Sequence, residues 1–218
     1  MDTLLSIRDK IAASQSQSNI SGKNVTLLGA SKGQSSEVIL RFIREGITDF
    51  GENRVQEALD KWLPIKEIHP NVRLHLIGPL QTNKVKEALS LFDVIQTLDR
   101  PKLAEAIAKI QDSKENAGSK TYFIQVNTGE EPQKAGISPT EASDFIAYCR
   151  ELKLNVVGLM CVPPADLQPA PHFALLRKLA LDNGLSQLSM GMSDDFETAL
   201  RMGSTCVRLG RTLFGERE

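Results

Sequence analysis

Two segments at opposite ends of the chain carry side chains that could do chemistry together. Val25-Thr-Leu-Leu-Gly-Ala-Ser-Lys32 is an apolar run that stops abruptly in Ser31-Lys32. Cys206-Val-Arg-Leu-Gly-Arg-Thr-Leu-Phe-Gly215 is a second, with Arg208 where two-residue alternation points a side chain inward. A lysine amine condenses with an aldehyde once burial or a neighbouring cation lowers its pKa. Arg208 lies between Val207 and Leu209, where an unpaired buried cation is expensive. Ser193, the helix starting beside it and the amides around Gly210-Arg211 offer donors to a doubly negative phosphate. Glycine at position 210 admits a close backbone approach. The set suits a phosphorylated aldehyde, foremost pyridoxal phosphate, with Lys32 as the amine and Arg208 on the pyridine nitrogen. An arginine there keeps that nitrogen unprotonated and makes the ring a poorer electron sink than a carboxylate would.

These groups meet only if the fold brings both runs to one face. Strand candidates are 25–30, 48–51, 73–77, 94–97, 121–126, 156–160, 188–190 and 206–209. Helix candidates between them are 36–45, 54–62, 84–91, 101–112, 139–152, 172–183 and 194–202. The alternation predicts an α/β fold with a parallel sheet inside a layer of helices, and eight strands close a (β/α)8 TIM barrel. One domain is expected over 1–218, with residues 1–24 forming an additional N-terminal helix (Leu4 to Ala13) and a polar loop (Ser14 to Asn24). Active faces of such barrels lie at the carboxyl ends of the strands. Lys32, Asn53, the 78–84 segment, Asn127, Met160, Ser189 to Ser193 and Arg208 to Arg211 all fall there. Ser138-Pro139 and Ser193-Asp194-Asp195 read as helix starts, Gly46 and Gly203 as helix stops, and the proline-rich 163–171 as a loop.

Taken singly, each group has a plainer reading. A lysine at a strand end is ordinarily a solvated charge. Asn53 after Gly51-Glu52 suits a turn, and Ser193 suits a helix cap. His75 reads as a hydrogen-bonded core histidine, and Met190 and Met192 as packing. The conjunction at one barrel face is what makes a site.

Composition narrows the partners. With 41% hydrophobic and 24% charged residues and a net charge of −1, the 218-residue chain has no footprint for nucleic acid or an anionic membrane. No apolar run is long enough to span a bilayer, and the charged N-terminus is unlike a secretory signal. Cys149, Cys161 and Cys206 lie far apart, and the three histidines lack ligand spacing, so neither a disulfide framework nor a metal site is expected. A soluble cytoplasmic protein is expected.

Across nearly its whole length the chain resembles the YggS/PROSC-type pyridoxal phosphate homeostasis proteins, whose fold is the barrel domain of alanine racemase (fold type III). The matching segments are Gly29-Ala-Ser-Lys32, Asp49-Phe-Gly-Glu-Asn53, His75-Leu-Ile-Gly-Pro-Leu-Gln-Thr-Asn-Lys84, Gln125-Val-Asn127, Lys134-Ala-Gly136, Gly158-Leu-Met160, Leu188-Ser-Met-Gly-Met-Ser-Asp-Asp195 and Gly203-Ser-Thr-Cys-Val-Arg-Leu-Gly210. The resemblance makes Lys32 the Schiff-base lysine, Arg208 the pyridine-nitrogen partner, and Ser193, Gly210 and Arg211 phosphate contacts. It sets Asn53 near the ring and Met160 and Ser189 along the pocket. Ala30, Gly33 and Arg211 depart from the commoner family residues, so Arg211 is expected to act through its backbone amide.

Function follows two lines. Racemisation needs a base on each face of the substrate carbanion. Only Lys32 is evident, Tyr122 and Tyr148 are poorly placed, and few residues follow the last strand for the racemase's second domain. The leading expectation is therefore a carrier without robust catalysis, and so without catalytic residues. It would serve vitamin B6 homeostasis and amino- and keto-acid balance as a monomer, and supply apo-enzymes that use pyridoxal phosphate. The alternative is a single-domain racemase or lyase with His75 or Lys84 as the second acid/base. A barrel for a sugar phosphate ranks third.

Overall fold

Eight short strands pair in parallel and in chain order, and the last closes on the first. They are β1 (Thr26–Ala30), β2 (Asp49–Glu52), β3 (Arg73–Leu76), β4 (Val94–Leu98), β5 (Thr121–Gln125), β6 (Val156–Met160), β7 (Gln187–Ser189) and β8 (Cys206–Leu209). This computed structural model describes residues 2–17, 24–111 and 120–215. The expected (β/α)8 barrel is present. Closure sets Leu28 of β1 opposite Arg208 of β8, with Ala30 opposite Gly51 of β2 on the other side. The two runs from opposite ends of the sequence are thus neighbouring strands.

The helices are α1 (Asp2–Gln17), α2 (Ser36–Arg44), α3 (Val55–Ile68), α4 (Val85–Leu91), α5 (Pro101–Gln111), α6 (Ala142–Glu151), α7 (Pro169–Asp182), α8 (Phe196–Arg201) and α9 (Arg211–Phe214). Local chemistry sets their limits. The Ser35 hydroxyl accepts the Val38 amide at 3.3 Å to open α2, which buries Ile39 and Phe42 against the barrel. Burial of such side chains stabilises the fold by about 2 kcal/mol each. Gly46, at φ +86°, turns the chain out of α2, and the Ile47 amide donates back to the Phe42 carbonyl at 3.0 Å.

Several boundaries differ from the sequence reading. Pro169 and Pro171 sit inside the first turn of α7, where a missing N–H costs nothing, so the proline-rich loop is shorter than expected. Ser138 does accept the Glu141 amide at 3.3 Å, yet Pro139 to Glu141 form only a turn, and α6 begins at Ala142. Helix α3 runs on through Pro64 to Ile68. Helix α1 reaches from Asp2 to Gln17, burying Leu4, Ile7 and Ile11 where it packs on α8 and α9. Residues 18–23 of the expected loop, and Asp112, lie outside the described residues.

The barrel interior is unusually polar for its class, which is normally filled by branched apolar layers. Asp49, His75, Gln96, Ser189 and Arg208 are buried inside it. Val94, Phe123 and Met160 form a separate apolar cluster there.

Candidate functional site

The carboxyl end of β1 turns sharply at Ser31, whose amide donates to the Gly51 carbonyl at 3.0 Å. The Ser31 hydroxyl donates to the Glu52 carboxylate at 2.7 Å. That carboxylate also accepts the Trp62 indole N–H at 2.9 Å and faces the Lys61 ammonium at 2.7 Å. Lys61 donates in turn to the carbonyls of Ser31 (3.0 Å) and Gln34 (3.3 Å). The turn bearing half-buried Lys32 is therefore held from below by an ion pair on β2 and α3. Gly33, at φ +73°, completes it and donates to Glu57 at 3.1 Å, a bond that lowers the Glu57 pKa.

Beside that strand, Arg208 is buried. One terminal nitrogen, Nη1, donates to both the carbonyl and the hydroxyl of Ser189, each at 2.7 Å. The other, Nη2, donates to the Cys161 carbonyl at 2.8 Å. All three acceptors are neutral, and among the described residues no carboxylate forms an ion pair with Arg208. Burial pulls its pKa down, and the guanidinium remains protonated. A buried cation held without an anion is poised for an electron-rich partner.

The loops after β7 and β8 are stitched together above it. The Arg208 amide donates to the Gly191 carbonyl at 3.0 Å. Gly191 is at φ +97°, and a methyl there would lie 2.6 Å from the Ala199 side chain, so only glycine fits. Ser193 does not cap α8: its hydroxyl accepts the Thr212 amide at 3.2 Å, linking it to the first turn of α9. Arg211 pairs with Asp194 on the solvent side. A methyl at Gly210 would meet nothing closer than the Ala30 carbonyl at 3.6 Å, so packing does not demand the glycine. It lies where β8 ends beside β1.

Thus Ser189, Ser193, Arg208, Gly210 and Arg211 come together, with Lys32 on the adjoining strand end. Met160 lies inside the barrel in register with Ser189. Asn53 follows β2, half-buried, with Gly78 so close that a methyl would sit 2.2 Å from the Asn53 carbonyl. Two further lysines are tied elsewhere, Lys84 to Glu87 at 3.1 Å and Lys134 to Glu131 at 2.7 Å. Tyr148 donates to Glu105 at 2.8 Å on the outer helices, and the Tyr122 hydroxyl is buried without a partner. Burial pushes the Tyr122 pKa upward.

Glu52, Lys61, Trp62 and Gln96 were not singled out by sequence reasoning. Gln96 left a signal, a polar residue at an inward position of the apolar run Val94 to Leu98. Glu52 and Lys61 left none, because their meeting depends on how α3 lies against β2. Among the described residues no cluster of three metal-ligating side chains occurs, and no helix is long and apolar enough to cross a membrane.

Comparison with known proteins follows the same lines. Residues 19–218 match the family model described as alanine racemase, N-terminal domain. A pyridoxal phosphate homeostasis protein of Aquifex aeolicus is 42% identical over 202 residues, covering 88% of this chain and 87% of that protein. The chain belongs to the pyridoxal phosphate homeostasis protein family. Another family member, from Escherichia coli, is 34% identical over 99% of this chain and 95% of its own. PipY of Synechococcus elongatus, solved with pyridoxal phosphate bound, superposes with a TM-score of 0.79 at 32% identity over 95% of this chain and 99% of PipY. The Clostridium difficile alanine racemase shares the fold alone, with a TM-score of 0.72 at 15% identity over 99% of this chain and 57% of the racemase.

Proposed function

We propose that this homeostasis-family member binds pyridoxal phosphate as a Schiff base on Lys32, holding and releasing it to keep vitamin B6 and amino- and keto-acid levels in balance. The observation that carries this reading is the buried Arg208 guanidinium with neutral acceptors only. The guanidinium gives three of its five N–H donors to those acceptors, so donors remain that suit a pyridine nitrogen, and the glycine at 210 admits a close backbone approach. The same cofactor bound to PipY supports it. Ser193 and the amides of Gly210 and Arg211 would hold the phosphate, at the place where barrels commonly bind one. Asn53, Met160 and Ser189 would border the ring. The whole of 1–218 would serve as one cofactor-binding barrel.

When bound, the cofactor supplies an aldehyde that captures amines and a ring that withdraws electrons. Arg208 weakens that withdrawal by leaving the ring nitrogen unprotonated. The protein is accordingly a carrier without robust catalysis. His75 and Lys84, the alternative acid/base groups, are engaged by Asp49 and Glu87. We assign it to the cytoplasm as a monomer that delivers the cofactor to apo-enzymes.

The test is the absorption spectrum of the protein mixed with pyridoxal phosphate, before and after borohydride reduction, beside Lys32→Ala. A yellow band that reduction fixes covalently to Lys32, absent in the variant, supports the assignment. An unchanged band in Lys32→Ala overturns the lysine, and no band at all overturns the cofactor.

A further inference from the structure

Arg208 stands at one end of a hydrogen-bond chain that crosses the barrel interior. The polarity of every link follows from the one before it. A guanidinium only donates, so the Ser189 Oγ beside it must accept and send its own proton elsewhere. That proton goes to Gln96 Oε1 at 2.6 Å. The Gln96 amide is thereby oriented, with Nε2 lying 3.0 Å from His75 Nδ1. Nδ1 must then accept, which leaves the proton on Nε2, and Nε2 lies 2.9 Å from Asp49 Oδ1. Asp49 is a carboxylate that takes a further bond from the Thr48 hydroxyl at 2.8 Å.

From this geometry we infer that Asp49, His75 and Gln96 are positioning residues for Arg208: by giving the Ser189 proton a fixed acceptor, they hold Ser189 Oγ and with it the plane of the guanidinium that would face a cofactor's ring nitrogen. The chain draws on β2, β3 and β4, crosses to β7 and ends on β8. The inference rests on the proposed cofactor reading only in its last step. Four buried residues donate in one direction and a fifth only accepts, so the chain runs from a cation to an anion through three neutral groups. Such a chain is self-consistent in one protonation state only. A second proton on His75 would aim an N–H at the Gln96 amide nitrogen, and the amide would have to turn over to relieve it. Turned over, Gln96 presents N–H to Ser189, which can no longer place its own proton there. Disturbance at Asp49 therefore reaches Arg208 by forced reversal of donors, without any backbone motion.

The groups around His75 are consistent with one proton. Asp49 on β2 favours a charged ring, while burial and Arg73, on its own strand, oppose it. Asp93, just ahead of β4, adds a weaker pull toward charge. Gln96 on β4 is neutral, as is Cys206 on β8, which Gln96 reaches across the barrel, and burial raises the Cys206 pKa.

Two measurements test the inference. The first uses cofactor-free protein and the nitrogen-15 shifts of the His75 ring. A neutral Nε2–H tautomer that persists as pH falls past the ordinary imidazole value of 6.5 is expected, and its loss in Gln96→Leu. An Nδ1–H tautomer, or ordinary titration near pH 6.5, overturns the chain whatever the cofactor does. The second measures the visible spectrum and affinity for pyridoxal phosphate in His75→Leu, His75→Gln and Ser189→Ala. His75→Leu and Ser189→Ala should shift the band and weaken binding about tenfold, the loss of one charge-assisted hydrogen bond. His75→Gln, whose amide can accept from Gln96 and donate to Asp49, should restore both. Should His75→Leu fail to fold, Gln96→Leu takes its place, since Gln96 reaches Arg208 only through Ser189. Parent-like spectra and affinity in these broken variants overturn the positioning role. A parent protein that takes up no pyridoxal phosphate overturns the cofactor reading and this last step, while the nitrogen shifts still decide the chain.

Discussion

Lys61 and Glu52 form a nearly solvent-free ion pair, 2.7 Å apart, directly beneath the turn that bears Lys32. Their side chains are 10% and 0% exposed, so neither charge has water to fall back on. The pair does not reach the site itself. It fixes the backbone from which the amine projects, because Lys61 also bonds the carbonyls of Ser31 and Gln34.

Removing one partner leaves the other buried and uncompensated. Glu52→Gln and Lys61→Met are each expected to lower stability by about 3–5 kcal/mol, as broken buried pairs do. The double variant Glu52→Gln with Lys61→Met leaves no stranded charge and should recover much of that loss. Urea unfolding of the four proteins measures the coupling. Additive single effects would show that the two residues act independently.

Gly78 makes a second, steric demand. An alanine methyl would lie 2.2 Å from the Asn53 carbonyl and 2.7 Å from its Cα, so backbone has to move. Gly78→Ala should cost about 1–3 kcal/mol. Gly184→Ala, with open space at its Cβ but φ +65°, tests backbone strain without crowding. Denaturation midpoints separate the two causes.

Acid should weaken the fold in two stages. Burial, working against Asp49, holds His75 below its ordinary value of 6.5. The unfolded imidazole therefore takes up a proton near pH 6.5 while the folded one stays neutral. Stability is full above that value and is lost as pH falls toward the folded pKa. Burial pushes the Asp49 pKa up, but bonds from His75 and Thr48 and the nearby Arg73 more than offset it, leaving it below 3.8. A second loss follows as pH drops through that range. His75→Gln should flatten the upper limb and leave the lower one, as read from urea unfolding over a pH series.

The cysteines should be chemically silent while the protein is folded. All three are buried. Burial pushes the Cys149 and Cys161 thiols up to about 12 and raises Cys206 as well. The thiolate is the reactive form, so a disulfide reagent at about pH 8 should label the native protein slowly and all three sites in denaturant. Rapid labelling of native protein would contradict this burial.

The barrel was legible because parallel strands buried on both faces leave apolar runs of fixed length between helical segments. Arg208 was legible for a related reason, since a cation inside such a run stands out against its neighbours. Helix starts were less so. Pro169 to Pro171 reads as a loop by composition, and only the position of those prolines within a first turn reconciles them with α7. Ser193 illustrates a deeper limit. A serine before two acids satisfies the local rule for a cap, but here its hydroxyl serves the Thr212 amide, a partner 19 residues away that local pattern cannot reveal. His75 was read as a hydrogen-bonded core residue, and both of its ring nitrogens have partners. What periodicity could not supply was their order, because contacts across a barrel join strands far apart in sequence.

The pairing of β1 with β8 carries a consequence for biosynthesis. Lys32 emerges early from the ribosome, whereas Arg208 is almost the last residue of the barrel to appear. Until β8 docks against β1, a growing chain has the amine but neither the guanidinium nor the loop that meets it. Any ligand spanning that seam is therefore refused by nascent or C-terminally clipped chains, and its uptake reports that the ring of strands has closed.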